Sequence, residues 1–380
     1  MFSPYFSSEN SSFKFILDIL DGMHDWVRVV DRNNSVIFIN RSMEEGLNIE
    51  NLAGKKCYEL MGRTDPCGSC ITLKAISEGK TFKKEEVFSK RTFSIMSSPI
   101  IADDGGIHYA VEVLRDITKE KELENRLLNQ NLKLQQDLVM AKKLQMQFLP
   151  RDVQFPCLDF AYLYHPCDDL SGDMVNIFQI DTEHIGIYIA DVSGHGVSAS
   201  MLTIFLISTL NRKTFSPSRA LHRLFRQFNA SDFDKNSYIT VFYGIYNIRT
   251  HVLTYSNAGH NCIPVIFSKN SMQRLFMPGV PVSNWVDKPR YYDATVYLNP
   301  CDRFFLYTDG VVDQWLGDPE KLFCNSSILN ILKDTDVDLN IALNLIGRHI
   351  YANLDAMNAK QKDDITMALI QPLPEKIHPM

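Results

Sequence analysis

The alternation of apolar and polar positions divides the chain into three zones. In the first zone, a short amphipathic segment precedes runs in which apolar and polar residues alternate, and turn-forming stretches such as 102–106 separate these runs. Period-two alternation bounded by turn residues is typical of half-buried strands. We therefore predict a small α+β domain over residues 13–118, with strands at Trp26–Asp31, Val36–Ile39, Thr92–Pro99 and His108–Leu114.

The second zone, residues 119–149, predicts a single long helix. Its stretch from Lys119 to Phe148 has no Gly or Pro, and Pro150 ends the pattern because its ring cannot continue a helix. Heptad spacing favours a coiled coil that joins two copies of the chain into a homodimer; the alternative is a solvated helix packed on one domain. Asn131 and Gln145 would be polar register-setting positions. The heptad positions are Leu127, Asn131, Leu134, Leu138, Ala141, Gln145 and Phe148.

The third zone, residues 150–374, alternates long apolar strands with helices. Many strands meet at tight turns and the helices come in blocks, which favours two packed sheets with helices outside over a parallel doubly wound sheet. The predicted helices are Ser198–Asn211, Pro217–Asn229 and Val337–Tyr351. The predicted strands are Phe160–His165, Met174–Ile180, Ile185–Asp191, Ile239–Ile248, Val252–Asn257, Pro264–Phe267, Ala294–Leu298, Arg303–Thr308 and Ile365–Ile370.

Composition narrows the class of protein. The 380 residues are 45% hydrophobic and 22% charged, as in ordinary globular proteins, and the net charge of -6 with no basic patch argues against nucleic-acid binding. The longest apolar stretch, Met201–Leu210, is far shorter than the ~20 residues of a membrane span, and no secretory signal is visible. Eight cysteines spread along the whole chain favour free thiols. We expect a cytoplasmic protein.

Candidate chemistry lies in aspartates at the ends of predicted strands. Asp173 precedes a strand, Asp191 and Asp309 each end one, and Asp363 and Asp364 precede the last. Converging carboxylates repel one another unless they are protonated or neutralised by a cation, and hard divalent ions prefer oxygen ligands. A single Asp-Gly is equally consistent with a turn or a helix cap. The repeated pattern indicates a hydrolase with one or two Mg²⁺ or Mn²⁺ ions.

Five motifs carry a family resemblance. LSGDMVNIF, IYIADVSGHGVSASML, YSNAGHNCIPVIF, FFLYTDGVVDQW and DDITMALI, in this order between Ala141 and Gln371, resemble the SpoIIE-like branch of the PPM (type 2C) metal-dependent serine/threonine phosphatases. The resemblance implies two antiparallel sheets flanked by helices. It also implies a centre of two Mn²⁺ or Mg²⁺ ions between the sheets.

The resemblance assigns roles by position. Asp191 would bridge the two ions, with the backbone carbonyl of Val192 as a further ligand. Asp309 and Asp363 would be direct ligands, and Asp173 a ligand directly or through water; Asp191 and Asp309 would act in catalysis through metal-activated water. Three further residues have alternative roles: Asp364 is an alternative ligand, and His195 and His260 are proton donors or structural histidines.

Two departures from the family pattern leave every proposed ligand in place. The usual double glycine before the first aspartate is Ser171-Gly172 here, and Asp313 stands where a glutamate is common. No phosphate-binding arginine can be assigned.

The N-terminal zone resembles a PAS sensor domain, through RVVDRNNSVIFINRSMEEGLNI, GKKCYELM and the exit segment VLRDITKEKELENRL. Its ligand, if any, is unknown from the sequence. Cys57, Cys67 and Cys70 cluster there, with the last two in a C-x-x-C. Soft thiolates at this spacing suit Zn²⁺, an iron–sulfur centre or a redox pair, and structural or unligated thiols are the alternative.

These features together predict a phosphoserine or phosphothreonine protein phosphatase under the control of a PAS sensor. The resemblance implies that its substrate is a phosphorylated anti-sigma-factor antagonist of the STAS type, in bacterial partner switching. Two other functions stay open. One is a catalytically inactive signalling scaffold, and the other is a redox-sensing PAS protein that acts through rearrangement of a dimer.

Overall fold

Antiparallel pairing arranges the strands of the described residues into three sheets. The computed structural model describes residues 9–49, 54–151, 154–210, 213–269, 271–313, 319–356 and 358–374. The chain divides between Lys133 and Leu134 into two compact units.

The N-terminal unit holds one five-stranded sheet and a set of short helices. Its elements, which end with a long helix that continues into the second unit, are α1 (Glu9–Asp21), β1 (Trp26–Asp31), β2 (Val36–Ile39), α2 (Arg41–Leu47), α3 (Cys57–Leu60), α4 (Ile71–Glu78), β3 (Phe82–Phe88), β4 (Arg91–Ile101), β5 (Ile107–Asp116) and α5 (Thr118–Phe148).

The sheet of this unit has the strand order β2-β1-β5-β4-β3. One of its faces is apolar: Phe93 and Leu114 point into a core that Met43 of α2 completes. Asn40 explains where α2 begins, since its side-chain oxygen accepts hydrogen bonds from the backbone N–H of Met43 at 3.2 Å and of Val27 at 2.9 Å. The predicted α+β domain is thus observed, with the additional strand β3.

The C-terminal unit contains the other two sheets. Its elements are β6 (Leu158–His165), β7 (Asp173–Gln179), β8 (His184–Val192), α6 (Gly196–Thr209), α7 (Pro217–Asn229), β9 (Tyr238–Asn247), β10 (Val252–Ala258), β11 (Val265–Ser268), β12 (Ser271–Arg274), β13 (Val282–Ser283), β14 (Ala294–Tyr297), β15 (Arg303–Tyr307), α8 (Asp309–Val312), α9 (Pro319–Cys324), α10 (Ser326–Lys333), α11 (Leu339–Ala356) and β16 (Ile365–Pro372).

Sheet-on-sheet packing forms the main core of this unit. The first sheet has the order β14-β10-β9-β8-β7, with β13 paired to β9, and the second has the order β12-β11-β15-β16-β6. On β15, Phe304 and Leu306 join the core shared with the first sheet, whereas Phe305 and Tyr307 join the core under α9, α10 and α11. Alternate residues of a strand point to opposite faces, so both faces of this sheet are covered. The predicted sandwich of two antiparallel sheets flanked by helices is confirmed.

The long helix α5 is confirmed, and one predicted role within it is wrong. Leu127 and Leu134 are 61% and 60% exposed, as expected for residues that would pack against a second copy of the helix. Gln145, predicted as a polar register position, is instead buried, and its amide contacts the C-terminal unit's own backbone. A coiled-coil seam along α5 would therefore end before Gln145, because this face of the helix packs against residues of the same chain. None of the helices in the described ranges is long and apolar enough to cross a membrane.

Candidate metal centre

Two of the predicted aspartates come from neighbouring strands of the first sheet. Asp173 opens β7, Asp191 lies near the end of β8, and the antiparallel register places them directly opposite each other. Directly opposed residues in such a ladder have Cβ atoms about 4.5–5.5 Å apart. The fold therefore brings together two carboxylates that are far apart in sequence.

The other aspartates come from neighbouring strands of the second sheet. Asp309 follows β15, and Asp363 and Asp364 precede β16, its hydrogen-bonded partner. Gly310 allows the close approach of these segments, since a Cβ at this position would lie 2.0 Å from the carbonyl oxygen of Asp364. Only glycine fits there.

A buried threonine joins the two groups of acids. The hydroxyl of Thr308 donates to Asp173 Oδ2 at 2.7 Å and accepts from the backbone N–H of Thr366 at 3.1 Å. Thr308 and Thr366 are fully buried and Asp173 is 2% exposed. The sheets of the sandwich therefore meet at the acidic strand ends. Neither threonine can be singled out from the sequence, because a Thr beside a strand end is too common to stand out.

Burial and mutual repulsion shift the pKa values of these carboxylates upwards. Burial, followed by the charges of Asp309, Asp363 and Asp364, raises the pKa of Asp191 to about 8. Burial and the charge of Asp191 raise the pKa of Asp173 well above its ordinary value. Burial raises the pKa of Asp363 to about 6, with Asp309 contributing. Such mutual destabilisation of the charged forms is what converging acids produce without a neutralising partner.

Asp364 has a different environment from the other acids. Its carboxylate accepts hydrogen bonds from the backbone N–H of Cys167 and of Gly172, each at 2.8 Å. These bonds tie the segment before Asp173 to the start of β16. Gly172 in turn contacts the backbone of Val192, whose carbonyl oxygen would lie 3.0 Å from a Cβ on Gly172. Asp364 is thus engaged in holding the loop, which favours Asp363 as the freer oxygen donor.

The donor set fits hard divalent cations by its chemistry. Carboxylates and a backbone carbonyl are the oxygen ligands that Mg²⁺ and Mn²⁺ prefer. No three His, Cys, Asp or Glu side chains in the described part of the chain are arranged closely enough to hold a metal ion as they stand. The fit therefore rests on the oxygen donors and on the repulsion among Asp173, Asp191, Asp309 and Asp363, and not on a preformed ligand shell.

The two candidate histidines lie in contrasting places. His195 precedes α6, is largely exposed, and its Nδ1 lies 2.8 Å from Asp168 Oδ2. His260 is buried, and its Nε2 lies 3.0 Å from the carbonyl oxygen of Tyr307, to which it must donate. Burial lowers the pKa of His260 to about 4, so its ring is neutral at pH 7. This environment favours the structural role for His260.

The end of α5 contacts the loop that precedes Asp173. Gln145 donates from Nε2 to the carbonyl oxygen of Ser171 at 2.7 Å and accepts from the Ser171 N–H at 3.1 Å. The Ser171 hydroxyl accepts from the N–H of Asp173 at 3.0 Å. The helix is therefore joined to the first candidate ligand through two residues. The motif LSGD gave no sign of this link.

The three cysteines singled out from the sequence lie in the N-terminal unit, remote in sequence from the acids. Cys57 is buried, whereas Cys67 and Cys70 are half-buried, and all three thiols are free.

Known proteins resemble both parts of the chain. The family model described as Stage II sporulation protein E (SpoIIE) matches residues 181–372, half of the chain, and a PAS-domain model matches residues 24–119. The phosphoserine phosphatase RsbP of Bacillus subtilis (strain 168) is 29% identical over 189 residues, 48% of this chain and 46% of that protein. The phosphoserine phosphatase RsbU of the same organism is 29% identical over 187 residues, 47% of this chain and 54% of that protein.

The chain thus spans about half the length of the curated relatives it matches. Among solved structures, the SiaA-PP2C domain of Pseudomonas aeruginosa superposes with a TM-score of 0.52 at 18% identity, covering 64% of this chain and 98% of that one. This likeness shows the fold. Because the SpoIIE model matches half of the chain, the protein belongs to the SpoIIE family, with a PAS domain preceding the SpoIIE region.

Proposed function

We propose that this protein is a divalent-metal-dependent phosphatase that hydrolyses phosphoserine or phosphothreonine esters on a protein substrate. The observation that carries the proposal is the meeting of the Asp173–Asp191 pair with Asp309 and Asp363, through the buried hydroxyl of Thr308. The names of the two relatives from Bacillus subtilis support the same reaction class.

Each side chain has a proposed task at this site. Asp191, the Val192 carbonyl, Asp309, Asp363 and Asp173 would hold two Mn²⁺ or Mg²⁺ ions. When bound, such ions lower the pKa of water to supply a nucleophile near neutral pH and offset charge on the phosphoryl oxygens. The candidate-ligand segments need a fixed spacing for this. Their spacing is maintained by the Thr308 and Asp364 hydrogen bonds.

His195 is the proposed proton donor to the leaving serine or threonine oxygen. The Asp168 carboxylate accepts from Nδ1 of the ring and so keeps the proton on that nitrogen. Nε2 is then the nitrogen that this proposal assigns to the leaving oxygen. His260 has no such role in this proposal, since its Nε2–H is held by the carbonyl of Tyr307.

Regulation and substrate belong to the same proposal. The PAS domain would perceive a signal, and α5 would transmit it, paired with a second copy through the exposed Leu127 and Leu134. We take the physiological substrate to be a phosphorylated anti-sigma-factor antagonist of the STAS type, on the family resemblance. A cytoplasmic location fits the eight free cysteines.

The proposed activity is tested with p-nitrophenyl phosphate and a phosphoserine peptide, each with Mn²⁺ and with EDTA. We expect both substrates to be hydrolysed only with the metal, because the carboxylates alone supply neither a metal-activated water nor a positive charge for the phosphoryl group. Production of phosphate would be measured colorimetrically. No turnover with Mn²⁺ or Mg²⁺ would contradict the proposal and favour the scaffold.

A further inference from the structure

The C-x-x-C of the N-terminal unit is not used by the phosphatase chemistry. Cys67 and Cys70 flank the turn formed by Gly68 and Ser69, and both thiols are free and half-buried. The first and last residues of a β-turn have Cα atoms less than about 7 Å apart, and disulfides join residues whose Cα atoms are about 4.4–6.8 Å apart. The backbone therefore already holds these cysteines at a separation that a disulfide can bridge.

A cationic side chain lies beside Cys67. Lys84 on β3 places Nζ 3.7 Å from the Cys67 sulfur, where its ammonium can offset the negative charge that this sulfur carries during thiol–disulfide exchange. Lys84 also pairs with Glu86 at 2.5 Å, which keeps the ammonium charged and in place. Cys70 is the residue immediately before α4, and its sulfur lies 3.9 Å from Asn34 Oδ1.

Cys57 is set apart by burial. It is 4% exposed, and burial raises the pKa of its thiol to about 11, so this thiol stays protonated at neutral pH. It is therefore neither a ready nucleophile nor a ready metal ligand. The three thiols therefore divide into a half-buried pair, Cys67 and Cys70, and one buried member.

We propose that Cys67 and Cys70 form a reversible disulfide by exchange with a low-molecular-weight disulfide. The Cys67 thiolate attacks one sulfur of the small disulfide, forms a mixed disulfide and releases one small thiolate. The Cys70 thiolate then attacks the Cys67 sulfur and releases the second small thiolate. The protein loses two protons and two electrons, and the small disulfide is reduced to two thiols.

The position of this pair connects it to the strand that leads into α5. Cys70 immediately precedes α4, and the hydroxyl of Thr72 on that helix donates to the buried carboxylate of Glu112 on β5. Glu112 also accepts from Arg28 on β1. A disulfide at the start of α4 would therefore lie close to a buried network of polar side chains. This network includes Glu112 on β5, the last strand before α5.

The test uses the full chain, exposed to glutathione disulfide, alkylated with N-ethylmaleimide and digested with trypsin. Cleavage after Arg63 and Lys74 places both cysteines on the peptide Thr64–Lys74, whereas Cys57 falls on Cys57–Arg63. We expect Thr64–Lys74 to become lighter by two hydrogen atoms, to carry no maleimide, and to recover two alkylation sites after dithiothreitol. Cys57–Arg63 should stay unlinked.

Single substitutions identify the order of the steps. Cys70→Ser should trap one glutathione on Cys67, whereas Cys67→Ser should acquire glutathione on Cys70 at least about fivefold more slowly. Cys324→Ser, which removes an exposed thiol of the other unit, should leave the result unchanged. The proposal is overturned by two maleimides on Thr64–Lys74 after oxidation, by its linkage to Cys57–Arg63, or by zinc bound to these thiols in the isolated protein. None of these outcomes depends on phosphatase activity.

Discussion

Asp309→Asn and Asp191→Asn are each expected to lower metal-dependent phosphatase activity by at least about a thousandfold, which corresponds to ~4 kcal/mol of activation free energy. Each change replaces an anionic oxygen donor by a neutral amide, and divalent cations bind amides far more weakly than carboxylates. The measurement is the initial rate with p-nitrophenyl phosphate at saturating Mn²⁺.

The matched control is Asp159→Asn, which makes the same change at an exposed position on β6 in the same unit. It should keep the wild-type rate. Circular dichroism should show that all three variants are folded. If Asp309→Asn or Asp191→Asn retained full activity, the proposed ligand assignment would be wrong.

The second large effect concerns stability in the presence of EDTA. The pKa of Asp191 is raised to about 8 in the folded chain, so between its ordinary pKa and pH 8 the folded state binds more protons than the unfolded state. The free energy of unfolding must then fall as pH rises through this interval. Asp363, with its pKa raised to about 6, adds to the fall in the lower part of the interval.

Asp191→Asn should therefore be more stable than the wild type at pH 8 in EDTA, by on the order of 3 kcal/mol, and the difference should shrink towards pH 5. Mn²⁺ should stabilise the wild type and reverse the order. Urea unfolding followed by circular dichroism at both pH values measures these differences. A variant less stable than the wild type at pH 8 in EDTA would show that the carboxylates do not repel one another.

The positions of the acids could be predicted because they follow from strand ends. Long apolar runs such as the one that ends at Asp191 identify buried strands without knowledge of their partners. The strands predicted in the third zone all appear in the sandwich, shifted by a few residues at their ends. Strand ends at the same edge of packed sheets are the places where polar side chains can converge, and Asp173, Asp191, Asp309 and Asp363 occupy them.

What could not be predicted depends on tertiary contacts. The strand β3 was missed because its inward side chains include Lys84 and Glu86, whose pairing replaces an apolar pattern. Gln145 was assigned to a coiled-coil seam because its heptad position fits, but the backbone of Ser171 is its actual partner. Hydrogen bonds between residues far apart in sequence, such as Thr308 to Asp173, leave no local signal.

The central claim is that these four aspartates form a centre that requires divalent cations. Calorimetric titration of the full chain with Mn²⁺, beside Asp191→Asn, tests it most directly. Because the pKa of Asp191 is about 8 in the folded chain, binding near pH 7 should expel protons, seen as a heat that varies with the ionisation enthalpy of the buffer. We predict two ions for each wild-type chain with proton release, and loss of both signals in Asp191→Asn. A wild-type chain that binds no Mn²⁺, or a variant that binds it as the wild type does, would contradict the claim.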